Sequence, residues 1–350
     1  MVTLLNQGAL NLAIAIGYRT GLFEAMAEIG QPAAIAAISE TAGMDRRYVR
    51  EWLAIMAAGG IVELDGQSGG GKRYHLPPEH AACLIRKAGN RNLAVYTQEI
   101  PILTVSAMDA VVDAFEHGDG LPYTAYPGFQ AFMSELSNAK HRETLVDKFL
   151  PAVAGGDLVR DLRRGIRVCD IGCGEGVALV LMAEAFPESR FLGIDASPEA
   201  IDSANRLLEG RSLSNVAFVV RDAATLKEDT TLEGAFDYIV AFDAIHDQVA
   251  PGKVLAGIHR ILSTQGLFSM VDIAAESDLQ ANLDHPMAPF LYTVSLLHCL
   301  PVGRYRGGEG LGMMWGRQKA VAYLERAGFS RVDVVKMPHD AFNYHYLCRK

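Results

Sequence analysis

The sequence has no long apolar run, few cysteines and no excess of positive charge. No apolar stretch approaches the roughly 20 residues of a membrane-spanning helix, so the sequence predicts no such span. The five cysteines include no C-x-x-C pair, which argues against a disulfide framework or a zinc cluster. The formal net charge is −9 at pH 7, and nucleic acid and anionic membranes therefore repel the chain as a whole.

The first residues also lack the basic and then apolar pattern of a secretion signal, which leads us to expect a cytoplasmic protein. Cys169 and Cys173 have no histidine or further cysteine at a spacing that would complete a site, so we expect no metal. The chain is, however, long and rich in apolar residues. Its 350 residues, 50% of them hydrophobic, are enough for a large core and suggest two domains.

The most informative stretch lies between residues 167 and 196. Its pattern predicts a short apolar strand, a turn rich in glycine, a helix and a second strand. These parts fall at 168–171, at Gly172 to Gly176, at 177–186 and at 191–194. Strand, turn, helix and strand form a βαβ unit, which favours a parallel sheet with a ligand at the carboxyl ends of its strands.

The turn differs from a dinucleotide-binding turn in a way that indicates another ligand. A dinucleotide turn reads G-x-G-x-x-G/A, and here Val177 occupies the last position. Asp170, two residues before the first glycine, would repel a phosphate but suits an ammonium group. Asp195 ends the second strand, where a carboxylate can accept the hydroxyls of a ribose. S-adenosylmethionine, which has an amino group and a ribose but no phosphate, fits better than NAD.

Four segments in order resemble class I S-adenosylmethionine-dependent methyltransferases. Asp-Ile-Gly-Cys-Gly-Glu-Gly at 170–176 resembles their first motif, and Gly-Ile-Asp-Ala-Ser at 193–197 resembles their acidic motif. Residues 219–223 and 236–243 resemble the motifs of the third and fourth strands. The resemblance implies an α/β, Rossmann-like, seven-stranded methyltransferase domain over 166–350. The cofactor contacts that it implies are Asp170, Gly172, Gly174, Asp195, Ala196, Asp222, Ala223 and Phe242.

The first 29 residues have a helical pattern that Gly17 or Gly21 could divide. Leu12, Ile16 and Phe23 form a broad apolar face, which we expect the other domain or a second subunit to cover.

Residues 33–76 predict a winged helix, and 1–85 a winged-helix domain. Two helices meet at a turn where Asp45 is a good N-cap, and a hairpin with a glycine-rich tip at Gly66–Gly71 follows. Exposed arginines on the second helix (Arg46, Arg47 and Arg50) leave two interpretations open: DNA binding, or a solvated face of a dimerisation module. The arrangement is similar to small-molecule O-methyltransferases, whose winged-helix domain serves dimerisation, and this implies a homodimer.

Residues 86–165 predict a helical connector. Phe129 and Met133 lie on one face of a helix, and the O-methyltransferases have a Phe and a Met at similar spacing that cover the cofactor. Ordinary helix packing is the alternative.

His246 follows the fourth predicted strand, at the carboxyl edge of the sheet. The segment resembles the O-methyltransferase motif His-Asp-Trp, whose histidine is the general base, although Gln248 replaces the tryptophan here. Asp247 could orient the imidazole. In the alternative interpretation, His246 only bonds the next helix.

The acceptor pocket is expected from the last third of the chain. Tyr292, His298 and Trp315 are candidate lining residues, with Ser295 and Cys299 on the helical face of Tyr292. A core helix with satisfied polar groups would give the same pattern.

These features predict a methyltransferase that acts on a small apolar or aromatic molecule, with oxygen favoured as the acceptor atom. Two alternatives stay open. One is a winged-helix transcription regulator that senses S-adenosylmethionine, and the other is an N- or S-methyltransferase that works by proximity without a base.

Overall fold

The structure is a computed structural model that describes residues 1–65 and 71–350. These residues form two compact units, Met1–Ile102 and Leu103–Lys350. Most of the glycine-rich tip predicted at Gly66–Gly71 lies outside the described residues. The functional boundaries placed after residues 85 and 165 stay predictions.

The first unit consists mainly of short helices and one small hairpin. Its elements are α1 (Val2–Thr20), α2 (Leu22–Ile29), α3 (Ile35–Ala42), α4 (Arg46–Ala58), β1 (Glu63–Asp65), β2 (Arg73–His75) and α5 (Pro78–Leu84). The Asp45 carboxylate caps α4, since it accepts hydrogen bonds from the backbone N–H groups of Arg47 and Tyr48 at 2.8 and 3.2 Å. Helix, turn, helix and antiparallel hairpin therefore occur in the predicted order.

The break in the first predicted helix is at Gly21, which has a φ of +71°, and not at Gly17. Gly17 serves close packing instead, because a Cβ there would come within 2.4 Å of the Trp52 ring. The expected broad apolar face is only partly buried. Phe23 is fully buried, whereas Leu12 and Ile16 are 51% and 55% exposed.

The helix α6 (Glu99–His117) crosses from the first unit into the second. The helices that follow it are α7 (Phe129–Thr144), α8 (Leu150–Ala152), α9 (Asp157–Arg164), α10 (Val177–Ala185), α11 (Pro198–Leu208), α12 (Pro251–Ile261), α13 (Ala288–Val294), α14 (Leu300–Arg304) and α15 (Gly316–Arg326). Single π-helical turns join α7 to α8 at Leu145–Phe149 and α13 to α14 at Ser295–Cys299.

One seven-stranded sheet organises the second unit. Its strands are β3 (Arg167–Ile171), β4 (Arg190–Asp195), β5 (Val216–Val220), β6 (Phe236–Phe242), β7 (Leu262–Ile273), β8 (Arg331–Met337) and β9 (Asp340–Arg349). They lie in the order β5-β4-β3-β6-β7-β9-β8. The first five strands pair in parallel, and β9 pairs antiparallel with both β7 and β8.

Both faces of the sheet are covered by apolar side chains, which explains why its central strands are almost continuously hydrophobic. One core cluster includes Leu158, Leu179 and Val240. The other includes Ile239, Leu255 and Leu324. The parallel pairing brings the carboxyl ends of β3, β4, β6 and β7 to one edge, where the candidate site lies.

Candidate active site

The three glycines of the turn after β3 all have positive φ angles, but their surroundings differ. A Cβ on Gly172 would lie 2.5 Å from the Ala244 side chain, and one on Gly176 would lie 2.4 Å from the Phe218 ring. A Cβ on Gly174 would meet only open space, with Gln130 Nε2 the nearest atom at 3.9 Å. Gly172 and Gly176 are thus required by packing, whereas Gly174 leaves room for a ligand.

The Asp195 carboxylate sits at the end of β4 and is held by backbone amides. It accepts hydrogen bonds from the N–H groups of Gly174 and Ser197, both at 2.9 Å. Burial raises its pKa, while these bonds and one from the Ala196 amide oppose the rise. The position next to the open glycine turn suits the ribose contact expected of Asp195 and Ala196.

Asp170 lies on β3 and is 2% exposed. Among the described residues, no side chain or backbone group forms a hydrogen bond with its Oδ1 atom. Burial and the nearby Asp195 raise its pKa to about 8. A buried carboxylate oxygen without a partner is costly, and a cationic ammonium group would relieve that cost. The site therefore fits S-adenosylmethionine.

The remaining predicted cofactor residues lie at the same edge of the sheet. Asp222 is exposed and accepts a hydrogen bond from Ala224 N at 2.9 Å, while Ala223 is buried. Phe242 ends β6 and packs edge-on against His141, with the ring centroids 4.7 Å apart.

The helix α7 carries Phe129 and Met133 close to this edge. Phe129 is buried and its ring lies 4.0 Å from the His298 ring. Met133 is half-buried. That Phe129 and Met133 cover the cofactor stays a prediction.

His246, which follows β6, and Asp272, near the end of β7, form a buried pair. His246 Nδ1 lies 2.9 Å from Asp272 Oδ1, and the two residues are 3% and 0% exposed. Burial disfavours the imidazolium, but the Asp272 charge and a hydrogen bond with the Cys299 thiol outweigh it, so the pKa of His246 lies well above its ordinary value. Asp272, and not the suggested Asp247, therefore holds Nδ1 of the ring.

Trp315 has a different environment from the pocket wall that we expected. Its ring is 3% exposed within a core cluster. Its indole N–H donates to Asp272 Oδ1 at 3.3 Å, and the Ile273 amide donates to the same atom at 2.8 Å. Trp315 is thus one of three donors to the carboxylate oxygen that orients His246.

His298 is enclosed by aromatic rings from the segment before and at the start of α7. The ring centroids of Tyr126 and Tyr123 lie 4.7 and 5.4 Å from its own, and Phe129 is the third neighbour. Tyr126 is tied to this wall, since its hydroxyl donates to the Leu297 carbonyl at 2.9 Å. Burial and the charge of His246 lower the pKa of His298 to about 3, so its ring is neutral.

Tyr123 lies near charged groups that follow two different strands, Asp195 at the end of β4 and Asp247 after β6. The residue is 38% exposed, while burial and the charges of Asp247, Asp195 and Cys299 raise the pKa of its hydroxyl. The backbone of the same loop approaches α14 closely, because Leu121 N donates to the Pro301 carbonyl at 2.9 Å.

The predicted pocket residues of the last third of the chain have different contacts in the structure. Tyr292 packs in a small cluster with Leu291 and accepts a hydrogen bond from Asn282 at 3.2 Å. The Ser295 hydroxyl accepts from Met313 N at 3.0 Å. His298, further along the same helical segment, is electrostatically coupled to His246. The pocket roles of Tyr292 and Trp315 stay predictions.

Asp272, Tyr123 and Tyr126 were absent from the residues that the sequence singled out. Asp272 had a usable signal, an acidic residue within the apolar strand pattern of β7. Buried acids in such strands are rare unless they are paired. The tyrosines had none, because their loop meets His298 from about 170 residues away.

Two family matches divide the chain in the same order as the structure. Residues 8–86 match the family described as "Rv2258c-like winged HTH domain", and residues 162–295 match that described as "Methyltransferase domain". The chain combines a winged-helix domain with a methyltransferase domain. These matches confirm the predicted winged-helix and methyltransferase domains.

Individual relatives agree with the domain assignment. An uncharacterized methyltransferase of Synechocystis is 30% identical over 117 residues, which cover 33% of this chain and 50% of the relative. The magnesium-protoporphyrin O-methyltransferase of Rhodobacter capsulatus is 39% identical over 93 residues, 26% of this chain and 38% of the relative. The chain spans about a quarter to a half of the length of the curated relatives that it matches.

Solved structures match the fold over nearly the whole chain. Human N-acetylserotonin methyltransferase in complex with S-adenosylmethionine has a TM-score of 0.70 at 16% identity, with 99% of this chain and 95% of that chain covered. The mitomycin 7-O-methyltransferase has a TM-score of 0.68 at 18% identity, with 99% and 96% covered.

Within 1–65 and 71–350, no group of three or more His, Cys, Asp or Glu side chains is placed to hold a metal ion. In the same residues, no helix is both long and apolar enough to cross a membrane.

Proposed function

We propose that the chain transfers a methyl group from S-adenosylmethionine to an oxygen atom of a small apolar or aromatic acceptor, with His246 as the general base. The observation that carries the proposal is the buried His246–Asp272 pair, 2.9 Å apart, at the same sheet edge as the glycine turn. The aromatic wall of Tyr123, Tyr126 and Phe129 supports an apolar or aromatic acceptor.

The cofactor supplies a methyl group on a positively charged sulfur, and the protein supplies position and a base. Asp170 and Asp195 would hold the ammonium and ribose ends beside Gly174. The aromatic wall would align the acceptor and exclude water, which accounts for much of the acceleration in displacements of this kind. Asp272 would stabilise the imidazolium that forms when the proton released by the hydroxyl group reaches His246.

A calorimetric titration with S-adenosylmethionine and then S-adenosylhomocysteine tests the cofactor step. We expect micromolar binding of both, followed by labelled methyl transfer in a screen of phenols, alcohols, amines and thiols. Transfer to amines or thiols alone would contradict the oxygen proposal. Absence of binding in a folded chain would contradict the activity altogether.

His246→Asn tests the base. We expect turnover to fall by about 10²–10⁴-fold, the range typical of general bases, with cofactor affinity unchanged within a few-fold. Turnover like that of the wild type would exclude His246 as the base.

We also propose that the protein works in the cytoplasm as a homodimer, and that its interface includes α6 in addition to the winged-helix domain that the resemblance implies. Val105, Met108, Val112 and Phe115 recur at helical spacing along α6 and are 48–89% exposed, an unusual apolar stripe that a second copy would cover. Light scattering should give twice the mass of 37.9 kDa. Val112→Glu together with Phe115→Glu should give the monomer.

A further inference from the structure

Both ring nitrogens of His246 are already engaged by protein groups. Nδ1 pairs with Asp272. Cys299 also interacts with this ring and raises its pKa, and because Nδ1 is occupied we assign the sulfur to Nε2. His246 is also 3% exposed. An acceptor that approached this histidine directly would have to displace a buried thiol.

The Cys299 thiol, which lies beside His246, also contacts a second imidazole, that of His298. Cys299 Sγ lies 3.7 Å from Nδ1 of His298. Nε2 of His298 is buried, and among the described residues no group forms a hydrogen bond with it. Since Tyr123, Tyr126 and Phe129 surround the same ring, this nitrogen is the unsatisfied polar atom of the aromatic wall. A buried polar atom of this kind calls for an explanation, and a hydroxyl group of an acceptor held by the aromatic wall would satisfy it.

We propose that Asp272, His246, Cys299 and His298 form one proton relay, and that Nε2 of His298 is the atom that takes the proton of the acceptor. This inference rests on the proposed O-methylation and refines it. Nε2 of His298 meets the acceptor, and His246 keeps the positive charge.

The proton balance of the relay closes with one proton taken up. In the form that can accept a proton, with His246 neutral, its Nδ1–H donates to Asp272, the Cys299 thiol donates to its Nε2, and His298 Nδ1–H donates to Sγ. When the acceptor hydroxyl gives its proton to His298 Nε2, the Nδ1 proton passes to Sγ and the thiol proton passes to His246. His298 ends as the other neutral tautomer, Cys299 ends as a thiol, and His246 becomes the imidazolium.

Electrostatics favours this direction of transfer. His298, with a pKa lowered to about 3 by burial and by His246, cannot keep a proton. His246 can, because the Asp272 carboxylate compensates for its burial. The titratable groups that face the relay, besides its own members, are Asp243, Asp247, Tyr123 and Tyr126.

The first test needs no acceptor. Histidine labelled with ¹⁵N is followed by NMR over a pH series in the full chain with S-adenosylhomocysteine, in the wild type and in Cys299→Ala, Cys299→Ser and Cys83→Ala. We expect neutral His298 to carry its proton on Nδ1 in the wild type. Cys299→Ala should change this tautomer and move the titration of His246 to lower pH, Cys299→Ser should restore both, and Cys83→Ala, in α5 of the first unit, should change neither. A proton on Nε2 of wild-type His298, or no response to Cys299→Ala, would overturn the relay.

The second test uses two acceptors, phenol and 4-nitrophenol, which is largely ionised near neutral pH. Cys299→Ala and His298→Asn should lower kcat at least tenfold for phenol, with KM changed only a few-fold, and much less for 4-nitrophenol, while Cys299→Ser stays within about fivefold of the wild type. Equal losses for both phenols would overturn the relay. If the chain methylates neither phenol, the proposed function fails for phenols, and the NMR result still decides the relay.

Discussion

At the ends of β3 and β4, polar groups are held by the backbone, whereas at the ends of β6 and β7 they are held by one another. Asp195 accepts hydrogen bonds from two main-chain amides. His246 depends on the Asp272 side chain, which the Trp315 indole holds together with one main-chain amide, that of Ile273. We call the first group the cofactor half of the site and the second the acceptor half.

The difference predicts how each half responds to change. In the cofactor half, a side chain that contacts the cofactor can be removed while the other side chains of that half keep their own main-chain contacts. In the acceptor half, the loss of one side chain leaves a buried partner unsatisfied, and the effects should be coupled and not additive. The predictions below test this contrast, beginning with the largest effect.

Asp272→Asn should cause the largest loss. Without the carboxylate, the pKa of His246 falls, because the charge that raised it is gone and burial remains. The imidazolium that forms during the reaction is then less stable, so kcat should fall on the order of 10²-fold. The pH at which His246 becomes neutral, and with it the alkaline rise in kcat/KM, should move to lower pH. An equally large loss of cofactor affinity in a titration would contradict the division into halves.

Asp195→Ala, in the cofactor half, should lower the affinity for S-adenosylmethionine. Hydrogen bonds to a charged group contribute about 1.5–3 kcal/mol, so affinity for S-adenosylmethionine should fall by about 10–100-fold. Asp222→Ala is the matched control, because its carboxylate is exposed and a smaller loss is expected. Cofactor affinity that stays unchanged in a folded Asp195→Ala chain would rule out the ribose contact.

Gly174→Ala and Gly172→Ala should separate ligand binding from stability. Both residues have positive φ, +53° and +73°, so both substitutions carry a backbone strain of about 1–2 kcal/mol. Only the new Cβ at Gly172 also meets a side chain, Ala244, at 2.5 Å. Thermal unfolding should therefore show the larger loss for Gly172→Ala, and titration at low temperature the larger loss of affinity for Gly174→Ala. The reverse order would place the ligand elsewhere.

Asp170 should make cofactor binding depend on pH by a few-fold. Its pKa is raised to about 8, so below that pH the free chain carries a proton there, and a cationic ligand must expel it. Affinity should rise as pH increases from 6 to 8, with proton release detectable by calorimetry in two buffers of different ionisation heat. Asp170→Asn should remove the pH dependence. It should also raise the midpoint of thermal unfolding of the free chain above pH 4, because folding then no longer has to bind a proton at this position or, at higher pH, to bury a charge.

The cofactor half could be predicted from sequence because its parts are local. The strand, the glycine turn and Asp195 lie within 30 residues, and the turn after β3 allows few other structures. The cap at Asp45 and the parallel order of the strands were predictable for the same reason. Each depends on near neighbours in the chain or on the pattern of one strand.

The acceptor half could be predicted only in part, because its contacts join distant segments. The position of His246 was predictable from the end of a strand, but its partner Asp272 lies on the next strand. Trp315 was placed in the pocket because a large aromatic suits one, yet its indole N–H is committed to Asp272. No local pattern could place Tyr123 and Tyr126 against His298, because a loop and a helix meet there through tertiary packing alone.

The π-helical turn at Ser295–Cys299 has a consequence for how the acceptor could change among relatives of this chain. Such a turn holds one residue more than an α-helical turn, and each residue rotates the helix by about 100°. Loss of Leu296, which is 37% exposed, would make the helix regular and turn His298 and Cys299 to a different side relative to Tyr292. A one-codon deletion could thus replace the pair of side chains offered to the acceptor without altering any cofactor motif. Chain length in this turn is therefore a marker by which relatives of different acceptor preference could be sorted.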